Sequence, residues 1–365
     1  MDNPGITLDI ARSEPVEAPP AGAQELEPLV AEARRQGASA IHLGPGVAPL
    51  VRVAGSLRPV TLLPAVAPER LAAAALRLMP ERLAPRWRSE GRATFAWELA
   101  HRQRCRVTLT RQRGRPAATL RPLPTEPPSA QALGLPPAVA ALARRPHGLV
   151  ILAGAGVSGT SSTVAAIIHA INQDRTCRVV TIEDPVEILH DSLRSMVEQR
   201  EVGTDTPGVA EGLAAAVAAD ADVIAFGDVA DAESARLSVL AAQGGALVLA
   251  TVDAPSARVA LERFLDFLRQ THGDAPHVLA RVLDAVTAQR LLPGAGEGTR
   301  PKGLVAAFEV LIATGQVRTA VEQGRLEQIT QLLGMDREQG MQSMDAAMDA
   351  LVRAGTISPL ARVSG

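Results

Sequence analysis

The sequence of 365 residues predicts an α/β fold with two domains. The first observation is an alternation of apolar strand-like and helix-like segments from residue 148 onward, which is typical of a parallel sheet with crossover helices. The second is a glycine-rich turn between a strand and a helix, at residues 154–159. The third is a stretch with six prolines at residues 122–137, which we interpret as an interdomain linker.

The segment before the linker predicts a small α/β domain at residues 25–121. Residues 1–24 are rich in proline and acids and are expected to be a disordered lead-in. Residues 25–37 carry apolar side chains at helical spacing and predict an amphipathic helix. The other expected helices are 68–78 and 81–90. Expected strands are 38–43, 49–53, 57–62, 94–98, 103–110 and 117–122.

The last strands of this domain carry a row of arginines. They include Arg104, Arg106 and Arg121. Such a row is either a solvated sheet face or part of a binding site, and the pattern alone favours the solvated face.

The segment after the linker, residues 138–293, predicts the α/β core. Its expected strands are 149–152, 178–182, 222–228 and 246–252, and its expected helices are 137–144, 163–172, 205–219 and 232–243. From Ala257 the chain is expected to be helical apart from a hairpin-like stretch at 294–309. Residues 294–365 are therefore predicted to form a helical C-terminal region.

Three of the core strands end in a carboxylate, at Glu183, Asp228 and Asp253. Ligands of α/β proteins bind at the carboxyl ends of parallel strands. An acid in that position can hold Mg²⁺ or orient a water beside a phosphate. We therefore expect these acids to converge with the glycine-rich turn at one edge of the sheet.

The glycine-rich turn follows the phosphate-loop pattern G-x-x-x-x-G-K-[ST] except at one position. It has Gly154, Gly159 and Ser161, but Thr160 occupies the place of the lysine. Backbone N–H groups and the helix N-terminus would still hold an anion, whereas the mobile positive charge is lost. Lys302 is the only lysine in the chain, so nearly all of its basic side chains are arginine. A change from lysine to arginine in the loop would have kept a positive charge, whereas Thr160 is neutral. Taken alone, the turn is also compatible with an ordinary strand-to-helix connection.

Composition restricts the functional classes. The net charge of −2 argues against general affinity for nucleic acid, and two tryptophans, five phenylalanines and no tyrosine offer little base stacking. Cys105 and Cys177 have no metal-ligand spacing and predict no disulfide framework. No apolar run has the length of a membrane span, and the N-terminus lacks a signal-peptide pattern. A cytoplasmic location is expected.

Several motifs occur in an order that resembles a known family. They are Thr181-Ile-Glu-Asp-Pro-Val-Glu187, Gln199-Arg-Glu-Val202, Ala288-Gln-Arg-Leu-Leu292 and Gly340-Met-Gln-Ser-Met-Asp345. With the glycine-rich loop, they resemble the PilT-type twitching-motility ATPases of the type II/type IV secretion ATPase superfamily. The resemblance implies a PAS-like N-terminal domain, a RecA-like P-loop ATPase core with a helical C-terminal extension, and a hexameric ring that uses ATP and Mg²⁺.

The resemblance also implies roles for individual residues. Nucleotide binding is implied for Gly154, Ser158, Gly159, Thr160, Ser161 and Ser162. Catalysis is implied for Glu183, Asp228 and Asp253, and magnesium ligation for Ser161 and Asp228. Candidate arginine fingers are Arg104, Arg106 and Arg121.

The departures from the family pattern fall where the outer phosphate would lie. Thr160 replaces the loop lysine, Asp228 a glutamate, Asp253 a histidine and Ala230 an arginine. Asp228 is one methylene shorter than glutamate, and Asp253 adds a negative charge beside other negative charges. All of these changes oppose hydrolysis. In the C-terminal retraction motif, Arg318 is kept among several changed positions.

Two functions follow from the resemblance. The first is a PilT-like ring subunit of a type IV pilus or type II secretion motor with weak or lost hydrolysis. The alternative is an active retraction motor in which an arginine replaces the missing cation. Expected partners are a homo- or hetero-hexamer with a PilT-type paralogue and an inner-membrane pilus or secretion platform protein, which would place the chain at the inner membrane peripherally.

Overall fold

Two β-sheets organise the molecule in the computed structural model, which describes residues 22–53, 55–60, 67–156, 158–296 and 303–362. The strands are β1 Ala40–Gly44, β2 Val47–Val53, β3 Ser56–Pro59, β4 Arg92–Glu98, β5 Arg104–Gln112, β6 Arg115–Pro122, β7 Gly148–Ala153, β8 Arg178–Glu183, β9 Met196–Glu201, β10 Val223–Phe226, β11 Leu247–Val252, β12 Leu283–Pro293 and β13 Leu304–Ile312. The helices are α1 Ala23–Arg35, α2 Pro68–Arg77, α3 Ala84–Glu90, α4 Pro137–Ala140, α5 Thr160–Asp174, α6 Val209–Ala218, α7 Ala232–Gln243, α8 Ala257–Leu268, α9 Ala275–Val282, α10 Gly315–Glu322, α11 Ile329–Leu332 and α12 Met344–Arg353.

The first sheet has six strands in the order β3-β2-β1-β6-β5-β4, and every neighbouring pair is antiparallel. Side chains alternate between the two faces of such a strand. On β4, Phe95 and Trp97 are buried, and on β5 Val107 and Leu109 are buried. This face packs with α1 and α2 in one apolar core, so the arginines at the intervening positions lie on the other face.

The second sheet has the order β13-β12-β7-β11-β10-β8-β9. All its neighbours are parallel except β12 and β13, which pair antiparallel. Every residue of β7 and β10 is buried, because helices cover both faces of a parallel sheet. Leu149 and Ile151 of β7 pack in a different apolar cluster from Val150 and Leu152, one on each face.

Three expectations about the fold need correction. Residues 283–293 form a strand rather than a helix. Strand β13 overlaps the expected hairpin-like stretch at 294–309, of which residues 297–302 lie outside the described residues. The charged segment 196–201 was not expected to be a strand, but it pairs with β8 at the edge of the sheet. Helix α1 begins at Ala23, inside the expected lead-in, whereas residues 1–21 lie outside the described residues.

The reason for these differences is tertiary. The apolar residues around β12 are compatible with a helix or a strand. The segment forms a strand because it pairs with both β7 and β13. The polar residues of β9 give no apolar alternation, so only the pairing with β8 defines the strand.

Candidate functional site

The strand order brings the chain segments with chemical interest to one edge of the parallel sheet. The phosphate loop follows β7, Asp253 follows β11, Asp228 follows β10, and Glu183 ends β8. These four strands are neighbours in the order β7-β11-β10-β8. Gly156 N donates to Asp253 Oδ1 over 3.4 Å, and Asp228 N donates to Thr251 Oγ1 over 2.7 Å. The predicted roles of these residues stay predictions.

The loop retains the backbone shape that glycines permit. Gly156 and Gly159 have φ of 58° and 85°, values that disfavour residues with a Cβ. A Cβ on Gly154 would lie 2.1 Å from Ser158 Oγ and 2.5 Å from Thr160 Oγ1. The chain is therefore closely packed inside the turn, and substitution of Gly154 would displace the hydroxyl groups there.

Thr160 is the first residue of α5, and its uncharged hydroxyl contacts the hydroxyl of a serine in the loop. Its Oγ1 lies 2.7 Å from Ser158 Oγ. Helix α5 has no side-chain N-cap, so the first N–H groups of the helix lack acceptors within it. This end of the helix offers partial positive charge to an anion. The contact between two hydroxyls contributes no net charge.

Gln289 on β12 makes a contact with the loop that the sequence motif did not reveal. Its Nε2 donates to Ser158 O over 2.9 Å, and its Oε1 accepts from Thr163 Oγ1 over 2.7 Å. Gln289 is only 5% exposed. The available signal was an amide within the motif Ala288-Gln-Arg-Leu-Leu292, since a polar group that becomes buried is normally hydrogen-bonded.

Glu183 occupies a well-bonded position at the end of β8. Its Oε1 accepts from Thr181 Oγ1 over 2.7 Å and from Gln199 Nε2 over 3.1 Å. Burial raises the pKa of Glu183, although these hydrogen bonds oppose the shift. Gln199 Nε2 also donates to Ile188 O, so the motif of β9 supports the glutamate from the neighbouring strand.

A cavity of about 80 Å³ lies beside Glu183 and is also lined by Ser161, Glu187 and His190. It is smaller than the roughly 300 Å³ of typical small-ligand pockets, but it has room for water. His190 is 9% exposed and its Nδ1 has no hydrogen-bond partner. Burial, with the nearby His169, lowers the pKa of His190 to about 4.

Asp228 and Asp253 place two carboxylates next to the glycine-rich loop, at the ends of β10 and β11. Asp228 has φ of 31°, which is unusual for a residue other than glycine. Partial burial raises the pKa of Asp228, a hydrogen bond from the Asp253 backbone opposes the shift, and the charge of Asp253 adds to it. Both acids line a second cavity, of about 360 Å³, together with Asp266 and Arg263.

The three candidate arginine fingers lie in different surroundings. Arg106 Nη1 contacts Glu187 Oε1 at 2.6 Å, so this guanidinium is held within its own chain at the rim of the small cavity. Arg121 is directly opposite Arg106 on β6 and is exposed. Arg104 Nε and Nη1 are buried without a hydrogen-bond partner.

The residues fit a bound nucleotide only in part. The glycine turn and the start of α5 can hold phosphate through backbone donors. However, the loop has no lysine, and a carboxylate already accepts from the Gly156 N–H. For magnesium, Ser161 and Asp228 offer oxygen ligands. Within the described residues, no cluster of three or more His, Cys, Asp or Glu residues is arranged to hold a metal.

Comparison with known proteins decides the family. The model of the type II/IV secretion system protein family matches residues 22–354. The chain belongs to this family. Together with the relatives and the solved structure described next, this match confirms the PilT-type resemblance and the fold class, an N-terminal α/β domain with a RecA-like core.

Similar proteins within the family are pilus ATPases. The type IV pilus retraction ATPase PilT of Pseudomonas aeruginosa is 31% identical over 335 residues, which are 92% of this chain and 96% of the relative. A twitching motility protein of Neisseria gonorrhoeae is 32% identical over 312 residues, 85% of this chain and 82% of the relative.

Solved structures give the same result. A crystal structure of the pilus retraction motor PilT with bound ADP has a TM-score of 0.78 and 34% identity, and the match covers 92% of this chain and 95% of that one. The Legionella pneumophila ATPase DotB has a TM-score of 0.76 at 22% identity and covers 96% of both chains, so it supports the fold alone. Within the part of the chain that is described, no helix is long and apolar enough to cross a membrane.

Proposed function

We propose that this chain is a PilT-like ring subunit of a type IV pilus or type II secretion motor that binds nucleotide weakly and hydrolyses it very slowly or not at all. One observation carries the proposal. Where the loop lysine would act, the Thr160 hydroxyl contacts Ser158, and the Asp253 carboxylate accepts from the loop N–H of Gly156.

The binding argument is electrostatic. In an ordinary phosphate loop, backbone N–H groups hold the α- and β-phosphates and the lysine reaches the β- and γ-phosphates. Charge-assisted hydrogen bonds to such a group contribute about 1.5–3 kcal/mol. Their loss weakens binding by roughly ten- to a hundred-fold. A carboxylate at Gly156 adds repulsion toward any phosphate oxygen placed there.

The catalytic argument concerns placement of a water and neutralisation of charge. Asp228 is shorter than the glutamate of the family pattern, and a misplacement of about 1 Å can cost about 10²-fold in rate. The transition state of phosphoryl transfer needs positive groups around the transferred phosphate. At this edge Asp228 and Asp253 supply negative charge instead.

The test is single-turnover hydrolysis by the purified full-length chain, alone and mixed with an intact PilT-type paralogue. Calorimetry with ADP and with MgATP measures binding in the same samples. We expect Kd values well above the micromolar range and no appreciable hydrolysis by the chain alone. Micromolar binding, or turnover comparable to that of the paralogue, would contradict the proposal.

We further propose that the chain assembles as a homo-hexamer or as a hetero-hexamer with that paralogue, on the cytoplasmic side of an inner-membrane platform protein. Support comes from family membership and from the pilus functions of its relatives. Light scattering with and without the paralogue tests it, and assemblies larger than a dimer are expected. A strictly monomeric chain in every mixture would count against a ring.

The alternative of an active motor has one observation in its favour. Arg106 contacts Glu187, which lines the same cavity as Glu183 and Ser161. A guanidinium from the first sheet, engaged in an ion pair with Glu187, thus lies close to this edge of the parallel sheet. If it replaced the lost lysine, the wild-type chain would hydrolyse ATP and Arg106→Gln would abolish that activity. A wild-type chain without turnover would exclude this alternative.

A further inference from the structure

Gln289 contacts the phosphate loop and the first turn of α5, and both are far from it in sequence. The side chain lies on β12, whose neighbour β7 leads into the loop. Its Nε2 bonds Ser158 O within the loop, and its Oε1 bonds the hydroxyl of Thr163 in the first turn of α5. Both ends of one buried amide are therefore used, and the two contacts lie on opposite sides of Gly159.

The geometry between these contacts leaves little freedom. Gly159 has φ of 85°, and a Cβ added there would lie 3.0 Å from Gln289 Nε2 and 3.3 Å from Leu291 Cδ1. The strand β12 thus packs directly against the turn where the loop becomes a helix. The peptide N–H groups that follow Gly159 are the ones a phosphate would use, and their direction depends on this turn.

In this chain, preorganisation of the loop matters more than in a loop that has a lysine. With Thr160 in place of the cation, binding of a phosphate depends on fixed backbone dipoles. Fixing donors before the ligand arrives lowers the entropic cost of binding. A residue that fixes the turn therefore acts on affinity without touching the nucleotide.

We propose that Gln289 is a positioning residue of the phosphate loop, which sets the direction of the Gly159–Ser162 N–H groups through Ser158 and Thr163. The inference rests on the proposed nucleotide site and specifies what keeps that site in shape. Ser158 and Thr163 are 131 and 126 residues away from Gln289 in sequence.

The first test is Gln289→Glu in the full-length chain. Glutamate has the same size and keeps the acceptor for Thr163, but it cannot donate to Ser158 O and places a carboxylate oxygen against it. We expect ADP binding about tenfold weaker. Amide hydrogen exchange at residues 163–166, the first hydrogen-bonded amides of α5, should be about tenfold faster.

The control is Gln342→Glu, which removes a similar amide-to-carbonyl bond, from Gln342 Nε2 to Phe308 O at 2.9 Å, without contacting the loop. It should leave both ADP affinity and exchange at residues 163–166 at wild-type values. Equal effects of the two variants, or no effect of Gln289→Glu on exchange, would overturn the proposal.

A second pair of variants tests the same contact from the side of Thr163, in case Gln289→Glu fails to fold. Thr163→Val removes the hydroxyl that bonds Gln289 while keeping the side-chain shape, and Thr163→Ser keeps the hydroxyl. We expect faster exchange at residues 164–166, in the first hydrogen-bonded turn of α5, in the valine variant and wild-type exchange there in the serine variant. Identical behaviour of the two would contradict the positioning role.

The two proposals fail in different ways. If the wild-type chain binds no ADP, the proposed nucleotide site is wrong. Hydrogen exchange in the absence of nucleotide then still decides about Gln289, because it reports the turn itself. If the wild-type chain binds ADP but exchange is insensitive to Gln289→Glu, only the positioning role is wrong.

Discussion

The two halves of the sheet edge that carries the candidate site differ in how far they match the family pattern. On the β8–β9 side, Glu183 matches the family motif and accepts hydrogen bonds from Thr181 and Gln199. On the β7–β11 side, the glycines keep the loop conformation, but Thr160 has removed a cation and Asp253 has added an anion. One half matches the family pattern in both backbone and side chains, whereas the other matches it in the glycines and departs from it at Thr160 and Asp253.

The difference teaches that the shape and the charge of a phosphate loop depend on separate residues. The shape depends on backbone conformation at glycines and on packing by Gln289. The charge depends on single side chains that pack little and can change without disturbing the fold. The proposed function requires this separation, because the chain belongs to the family by sequence and fold whatever its hydrolytic activity.

Restoring the chemistry of the altered half should give the largest effect. We expect Thr160→Lys combined with Asp228→Glu and Asp253→His to hydrolyse ATP at least about 100-fold faster than Thr160→Lys alone, because interactions made only in the transition state raise the rate and such residues act as a unit. Single-turnover assays measure this. Full activity of the single variant would show that the acids are harmless, and an inert triple variant that binds ATP would place the defect elsewhere, for example at Ala230.

Thr160→Lys alone should recover binding without hydrolysis. A positive charge returned to an intact glycine turn is expected to tighten ADP and MgATP binding roughly ten- to a hundred-fold. Calorimetry at low and high salt measures the gain, which should shrink with salt. Thr160→Met is the matched control, since it adds length without charge, and an equal gain from it would disprove the electrostatic explanation.

On the β8–β9 side, His190 should make the unfolding free energy of the protein depend on pH. Its folded pKa of about 4 lies below the ordinary value of 6.5 because of burial. The unfolded chain then binds a proton first as the pH falls, so this contribution is present above pH 6.5 and is lost on descent toward pH 4. From pH 7 to pH 5 the wild type should lose about 2 kcal/mol more unfolding free energy than His190→Gln.

Urea unfolding of both proteins at the two pH values measures that difference. His147→Gln, at an exposed position, is the control and should follow the wild type. A His190→Gln variant with the same pH dependence as the wild type would show that His190 is not buried in its neutral form.

The smallest expected effect concerns the added acid. Asp253→Asn keeps an acceptor for Gly156 N–H but removes the charge, and we expect MgATP affinity to rise by about fivefold, in line with about 1 kcal/mol for a unit charge near 4 Å in water. ADP, which lacks the outer phosphate, should gain less. Asp266→Asn is a control from the same cavity, and an equal gain there would mean that only net charge matters.

The sequence alone determined the features that depend on local pattern. Apolar periodicity placed most strands and helices, and the motif order identified the family. The loop pattern located the missing lysine at Thr160. These succeed because strand alternation, helical spacing and glycine turns are properties of neighbouring residues.

Only the tertiary structure decided the features that join distant segments. The pairing of β12 with β7 and β13, the strand β9, the contact of Arg106 with Glu187 and the two bonds of Gln289 all connect residues that no local pattern relates. These contacts depend on strand register, which no local sequence pattern specifies. A side chain on one strand meets a loop on another only after the sheet order and alignment are fixed, and these depend on the packing of the whole core.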